Sequence, residues 1–324
     1  MNREHLRKLG KTIFGGGKNG ILIILILLFV FASTFVDGFF SQTNLTNVLR
    51  QITVVTILSL GATFVIILGH INVAYGSEIA LMGCVACSVM VATGNLFFAI
   101  LSGLAMGFVV GFISGFIITT FKIPAFIMTL AVTTVARGAV LLYTKASPIT
   151  GLKPEFTFIG QGYIGFLPVS VLILIVLFFI TYQILNKTVF GRYLYAVGGN
   201  ENAAVASGIK TSNVVIRAFI FDGIMTAIAG IIFMSRINSG QPAGGVGYEF
   251  DAITAVVVGG TSLSGGSGTI VGTIIGSVIV GIINNVLNLQ NVNAYWQQIT
   301  KGLIILLAVI IDVVNKRTIS VRRS

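Results

Sequence analysis

Ten apolar runs of helical length divide this sequence, at residues 21–36, 52–69, 77–92, 96–119, 124–143, 166–185, 214–235, 252–263, 269–289 and 296–314. Most are long enough to cross a hydrocarbon layer of about 30 Å. In lipid every backbone N–H and C=O must pair within the protein, so spanning segments are helices or closed barrels. Barrel strands are short and alternate in polarity, unlike these continuous runs. Composition agrees: only 9% of the 324 residues are charged, nine of them acidic, whereas a soluble domain uses roughly 25% to cover its surface. The expected fold is an all-α membrane bundle of about ten helices, with 252–263 short or re-entrant, forming one domain over residues 1–324.

The net charge of +11 follows the membrane rather than nucleic acid, because no basic stretch is interleaved with stacking aromatics. Placing the N-terminus inside puts Arg3, Arg7, Lys8, Lys11, Lys18, Lys122, Lys187, Arg192, Lys210, Arg217, Lys316, Arg317, Arg322 and Arg323 on the inner side. Arg50, Lys145, Lys153, Arg236 and Lys301 fall outside or near it. Basic residues concentrate on the cytoplasmic side of membrane proteins. The tail 1–20 and the polar segment 186–213 are therefore expected in the cytoplasm, with both termini, for a multi-pass protein of the inner membrane. The first run follows a basic stretch as a signal peptide would, but with so many spans behind it an uncleaved first helix is the better reading.

No enzyme site is legible. Gly10-Lys11-Thr12 lacks the earlier glycine and strand of a phosphate loop, and Gly15, Gly17 and Gly20 match the dinucleotide fingerprint without its strand. The run from Gly259 to Gly268 reads as a tight turn near other backbones rather than a phosphate cradle. Cys84 and Cys87 are spaced C-x-x-C, yet there is no second pair, and His5 and His70 are distant. They are read as small side chains on one helix face, and no metal or cofactor is expected. Gly103, Gly107, Gly111 and Gly115 stand four apart, as do Gly268, Gly272 and Gly276. Such stripes let helices approach closely in lipid, and their recurrence hints at an internal repeat.

Within 186–213, Gly198-Gly199-Asn200-Glu201-Asn202-Ala203-Ala204-Val205-Ala206-Ser207-Gly208-Ile209 reads as a short capped helix. Asn200 suits the N-cap, Glu201 the positive end of the dipole, and Gly208 the terminating position. Two turns do not hold alone in water, so the helix must pack on its own bundle or on a partner, and its alanine-rich surface favours a partner's cleft. His70, Glu78, Arg137, Asp222, Glu249 and Asp251 lie in or beside the spans. A charge there costs about 3 kcal/mol and must be paired or wetted. Arg137 and Asp222 are read as structural pairs, Glu78 as a path residue, and Glu249 and Asp251 as either a cap or a gate.

Several stretches resemble one family. They are Phe190-Gly191-Arg192-Tyr193-Leu194-Tyr195-Ala196-Val197-Gly198-Gly199-Asn200-Glu201, Tyr248-Glu249-Phe250-Asp251-Ala252-Ile253 and Val258-Gly259-Gly260-Thr261-Ser262-Leu263-Ser264-Gly265-Gly266. Tyr295-Trp296-Gln297 and Ile123-Pro124-Ala125-Phe126-Ile127 with Thr129, Leu130, Arg137 and Gly138 fit as well. Together they are similar to the permeases of bacterial ribose- and galactose-type importers among the ATP-binding-cassette transporters, over nearly the whole chain. The resemblance implies an inverted-repeat bundle without catalysis of its own. It implies pairing with a second permease copy or paralogue and two cytoplasmic ATPases, and supply by a periplasmic or lipoprotein sugar-binding protein. It places a coupling helix at Gly198, Gly199, Asn200, Glu201, Ala203, Ala204, Val205 and Gly208.

One region departs from that family's pattern. Where Gly-Ile-Asp-Leu-Ser-x-Gly-Ser is usual, the sequence reads Gly69-His70-Ile71-Asn72-Val73-Ala74-Tyr75-Gly76-Ser77, with Asn72 in place of the carboxylate and Ala74 in place of the hydroxyl. Asn72, Tyr75, Ser77 and Glu78 are expected to line the route of a neutral hydroxylated solute, with Phe126, Glu249 and Asp251. A nucleoside, a signalling furanose or a branched-chain amino acid are alternative cargoes, and an ion-coupled secondary transporter is an alternative class.

Overall fold

A computed structural model describes residues 18–321. The basic tail before residue 18, with Gly10-Lys11-Thr12 and with Gly15 and Gly17, lies outside the described residues, as do Arg322 and Arg323. The helices are α1 (Lys18–Phe35), α2 (Gln42–Ile67), α3 (Tyr75–Thr93), α4 (Leu96–Phe121), α5 (Ala125–Thr144), α6 (Pro154–Gln161), α7 (Val169–Lys187), α8 (Val189–Gly199), α9 (Glu201–Ala206), α10 (Thr211–Ile237), α11 (Tyr248–Val258), α12 (Ile270–Leu289) and α13 (Ala294–Val321). A two-residue hairpin, β1 (Tyr163–Ile164) against β2 (Leu167–Pro168), joins α6 to α7. Nine of the ten apolar runs fall mainly on one helix each, and among the described residues seven helices are long and apolar enough to cross a membrane: α2, α3, α4, α5, α7, α10 and α12. The run 252–263 does not form one helix over that range, since α11 ends at Val258 and a glycine turn follows.

Two helices form the axis. The apolar window of α2 is 89% buried, against 22% for α4, α5 and α7, which turn most of their surface outward. α2 lies against α10, α11 and α12, and α10 lies against α2, α3 and α4. The glycine ladders make these approaches possible. A Cβ at Gly107 or Gly111 would run into the carbonyls of Gly223 or Phe219 on α10, and one at Gly272 or Gly276 into those of Gly259 or Ala255. α2 and α12 are also joined by a polar seam. Asn44 and Asn285 exchange amide hydrogen bonds of 3.2 and 2.7 Å, and hydroxyls pair at Thr56–Ser277 and Thr63–Thr273, both 2.7 Å. Buried interhelical bonds of this kind contribute about 0.6 kcal/mol each in lipid.

Candidate functional site

Two unwound segments interrupt the bundle from opposite ends. The first, residues 68–74, leaves α2 beside α8 and α9, turns at Gly69 (φ +78°), and leads inward to the start of α3. The second, residues 238–247, leaves α10 at the other end. There Gly240 bridges Ile149, and the segment leads inward to α11 through Gly245 and Gly247, both at positive φ. The two meet at Gly76 and Gly245, close enough that a Cβ on Gly245 would lie 2.5 Å from the Gly76 carbonyl oxygen.

Unwound backbone inside a membrane must find partners on side chains, and it does so here. Thr129 of α5 donates its hydroxyl to Ile71 O (3.2 Å) and accepts from Val73 N–H (3.3 Å); one turn on, Thr133 donates to Val73 O (3.2 Å). One further turn along α5, the Arg137 guanidinium donates to Pro242 O (2.7 Å) and Gly244 O (2.9 Å) on the other segment. The spacing of four puts all three on one face of α5.

The first segment carries a side-chain cluster as well. Asn72 accepts from Ala74 N–H (2.9 Å) and donates from its amide to Glu78 Oε2 (3.2 Å) and Asp222 Oδ2 (2.9 Å). Tyr75 donates its hydroxyl to the same Asp222 carboxylate (3.0 and 3.2 Å). All four residues are at most 3% exposed. Of the sequence-derived route residues, Asn72, Tyr75 and Glu78 thus come together, and Ser77 is buried beside them. Glu249 stands across the junction: its Oε1 accepts from Gly247 N–H (3.2 Å), and its Oε2 would meet a Cβ placed on Gly76 at 2.5 Å. Asp251 lies apart, in an ion pair with Lys301 of α13 (2.9 Å) and a contact from Asn284 (3.3 Å). Phe126 is 52% exposed on the outer surface of α5 and joins none of these groups. Asp222 and Arg137 are structural partners as expected, but their mates lie 150 and 105 residues away, and no local pattern names them.

The short helix forms as its cap chemistry requires. The Asn200 side chain accepts from Ala203 N–H (3.0 Å), and Gly208 at φ +82° ends the turn. Ala204 alone points into the bundle, 4% exposed, while Glu201, Asn202, Ala203, Val205 and Ala206 face outward. The helix is seated through α8. Gly198 packs so tightly on the end of α2 that a Cβ would run into Ile67 O, and Gly266 N–H donates to that same carbonyl (2.8 Å). Tyr195 donates to Gly268 O (2.8 Å), and burial lifts its hydroxyl pKa above the ordinary value, so it stays a donor at neutral pH. The glycine run 259–268 is therefore a tight turn against other backbones. Cys84 and Cys87 are both buried and unbridged on α3.

Comparison with known proteins agrees with this architecture. Residues 44–309 match the family described as Branched-chain amino acid transport system / permease component. The chain is 42% identical over 317 residues to the ribose import permease protein RbsC of Bacillus subtilis, covering 96% of this chain and 98% of that protein. It is 44% identical over 294 residues to the RbsC of Haemophilus influenzae (90% and 91%), and 32% identical over 360 residues to the xylose transport system permease protein XylH of Haemophilus influenzae (92% and 96%). No solved structure matches the chain.

Proposed function

The chain belongs to the family of branched-chain amino acid transport system permease components, and on that premise we propose that it is the membrane subunit of an ATP-driven sugar importer. The observation that carries this reading is the likeness to ribose import permeases at 42% and 44% identity over at least nine-tenths of the chain. The cargo is a monosaccharide of the ribose kind.

The membrane domain makes ten crossings in two inverted repeats, with 186–213 and both termini in the cytoplasm. In that repeat α2 to α5 correspond to α10 to α13, each half holding one unwound segment. The outward face of α9 docks a separate ATPase chain, and hydrolysis occurs there rather than in this subunit. Closure of the ATPases pushes on α9. Because α8 sits on the end of α2 and on the turn 259–268, while only four residues separate α9 from α10, that push reaches both axial helices. Alternating access then passes the solute beside the two unwound segments, between this chain and a second permease subunit. A sugar-binding protein delivers it from outside, so contacts along the route need only be weak.

The test is reconstitution with an ATPase subunit and a sugar-binding protein of this importer class, followed by uptake of labelled ribose, xylose and leucine. ATP-dependent pentose uptake is expected. Leucine uptake instead would assign the cargo named in the family description, and ion-gradient-driven uptake by this chain alone would overturn the importer. For the docking face, Ala203→Arg is the probe, since Ala204→Arg would bury a charge. An exposed substitution of this kind changes stability by about 0.5 kcal/mol or less; transport-linked ATPase activity is expected to fall while the protein stays inserted. Unchanged activity would remove α9 as the docking element.

A further inference from the structure

Neither unwound segment can satisfy its own backbone, and both turn to the same face of the same helix. Thr129 and Thr133 bond the first segment at Ile71 and Val73, and Arg137 bonds the second at Pro242 and Gly244. Among the described residues no other element contributes side-chain bonds to the backbone of both segments; α10 reaches the first only at the Asn72 side chain and the second at Gln241 N–H. α5 is otherwise loosely held: only Ala125, Thr129, Ala136 and Val140 on it are buried. Its inner face is thus given over to bracing the two breaks.

We propose that α5 is a brace that holds the two unwound segments in register, and that Arg137 is the positioning residue of the second. One terminal nitrogen of its guanidinium, Nη1, donates to two carbonyls separated by a single residue, Ala243, which fixes the course of the chain just before Gly245 and the start of α11. That start carries Glu249, which faces Gly76 at the start of α3, just past the first segment. Arg137 therefore acts on the route through the segment it holds, without lining the route itself. A lysine keeps the charge but loses the rigid planar group that aims the two hydrogens of Nη1 in fixed directions. This inference rests on the transport reading only for its effect on uptake; the bracing itself is readable without it.

The experiment uses the intact importer in proteoliposomes, carrying Pro242→Cys as a reporter. Residue 242 is buried while the segment is held, and Cys84 and Cys87 are fully buried and react slowly. Labelling by a membrane-impermeant maleimide is compared with Arg137 intact and with Arg137→Lys. Losing one charge-assisted hydrogen bond weakens the held state about tenfold, so labelling is expected to accelerate about tenfold. The maximal uptake rate should fall by a similar factor, with a smaller change in KM. Unchanged labelling together with unchanged uptake overturns the brace. A loss of thermal stability with unchanged labelling also overturns it, since that is a packing role alone. If Arg137→Lys is not recovered after purification, labelling in native membranes with Arg137→Gln makes the same comparison. If the parent complex moves no sugar but labelling still depends on Arg137, the transport reading fails and the brace stands.

Discussion

The two unwound segments do the same job with opposite chemistry. The first is tied mainly through a side chain: the Asn72 amide sits between the carboxylates of Glu78 and Asp222, with Tyr75 donating to the latter. The second is tied through its backbone, with the carbonyls of Pro242 and Gly244 held by a cation. Around the first stand two carboxyl groups, and residue 72 meets both with the donors of one neutral amide. At the second the bare carbonyls ask for a donor, and Arg137 supplies two from one group. A break in a membrane helix is thus stabilised by whatever polar partner its neighbours present. The sign of that partner dictates which substitutions the break tolerates.

The sharpest way to break the comparison is to put acid where amide is needed. Asn72→Asp would set a third carboxylate against Glu78 and Asp222, and an uncompensated buried charge costs about 3–5 kcal/mol. A steep loss of thermal stability in detergent is expected, read by size-exclusion after heating. Asn72→Asp combined with Asp222→Asn should recover most of it, because acid and amide have exchanged places across the same 2.9 Å contact. Equal stability of Asn72→Asp and the parent would mean that the two carboxylates do not govern this position.

The junction comes next in size. Gly76→Ala would drive a methyl group into Gly245 O and against Glu249 Oε2. Overpacking of this sort costs about 1–3 kcal/mol, and both segments should feel it. The same change at Gly138, which has open space around it, serves as the control and should be silent. If Gly76→Ala were as mild as Gly138→Ala, the segments would not be in register at this point.

How much of this was legible in the sequence depended on distance along the chain. The glycine ladders announced close packing because a spacing of four is a local signal, and both ladders do pack on a neighbour. The Asn200 cap and the Gly208 stop were legible for the same reason. The inward face of α9 was not, since six residues show no periodicity, and Ala204 differs from Ala203 only in which way it points. Asn72, Tyr75 and Glu78 stood out as polar groups at a break, but Asp222 as the partner of Asn72 and Tyr75 required the crossing of α2 and α10 at Gly61. The stripe Thr129, Thr133 and Arg137 was present as a spacing. Its meaning depended on two backbones that fold against it from both ends.

The smallest effect tests whether the brace at the first segment matters beside its carboxylate cluster. Thr129→Val keeps the shape and removes the hydroxyl that bonds Ile71 O and Val73 N–H. A hydrogen bond of this kind contributes about 0.5–1.5 kcal/mol, less than the acid substitution at the same break. The expected outcome is a small drop in thermal stability, with Thr133→Val similar and the pair roughly additive if each bonds its own group. If the double variant instead cost as much as Asn72→Asp, the backbone bonds rather than the Asn72 amide would hold this segment. The two breaks would then be alike in chemistry after all, each fixed through its carbonyls by α5.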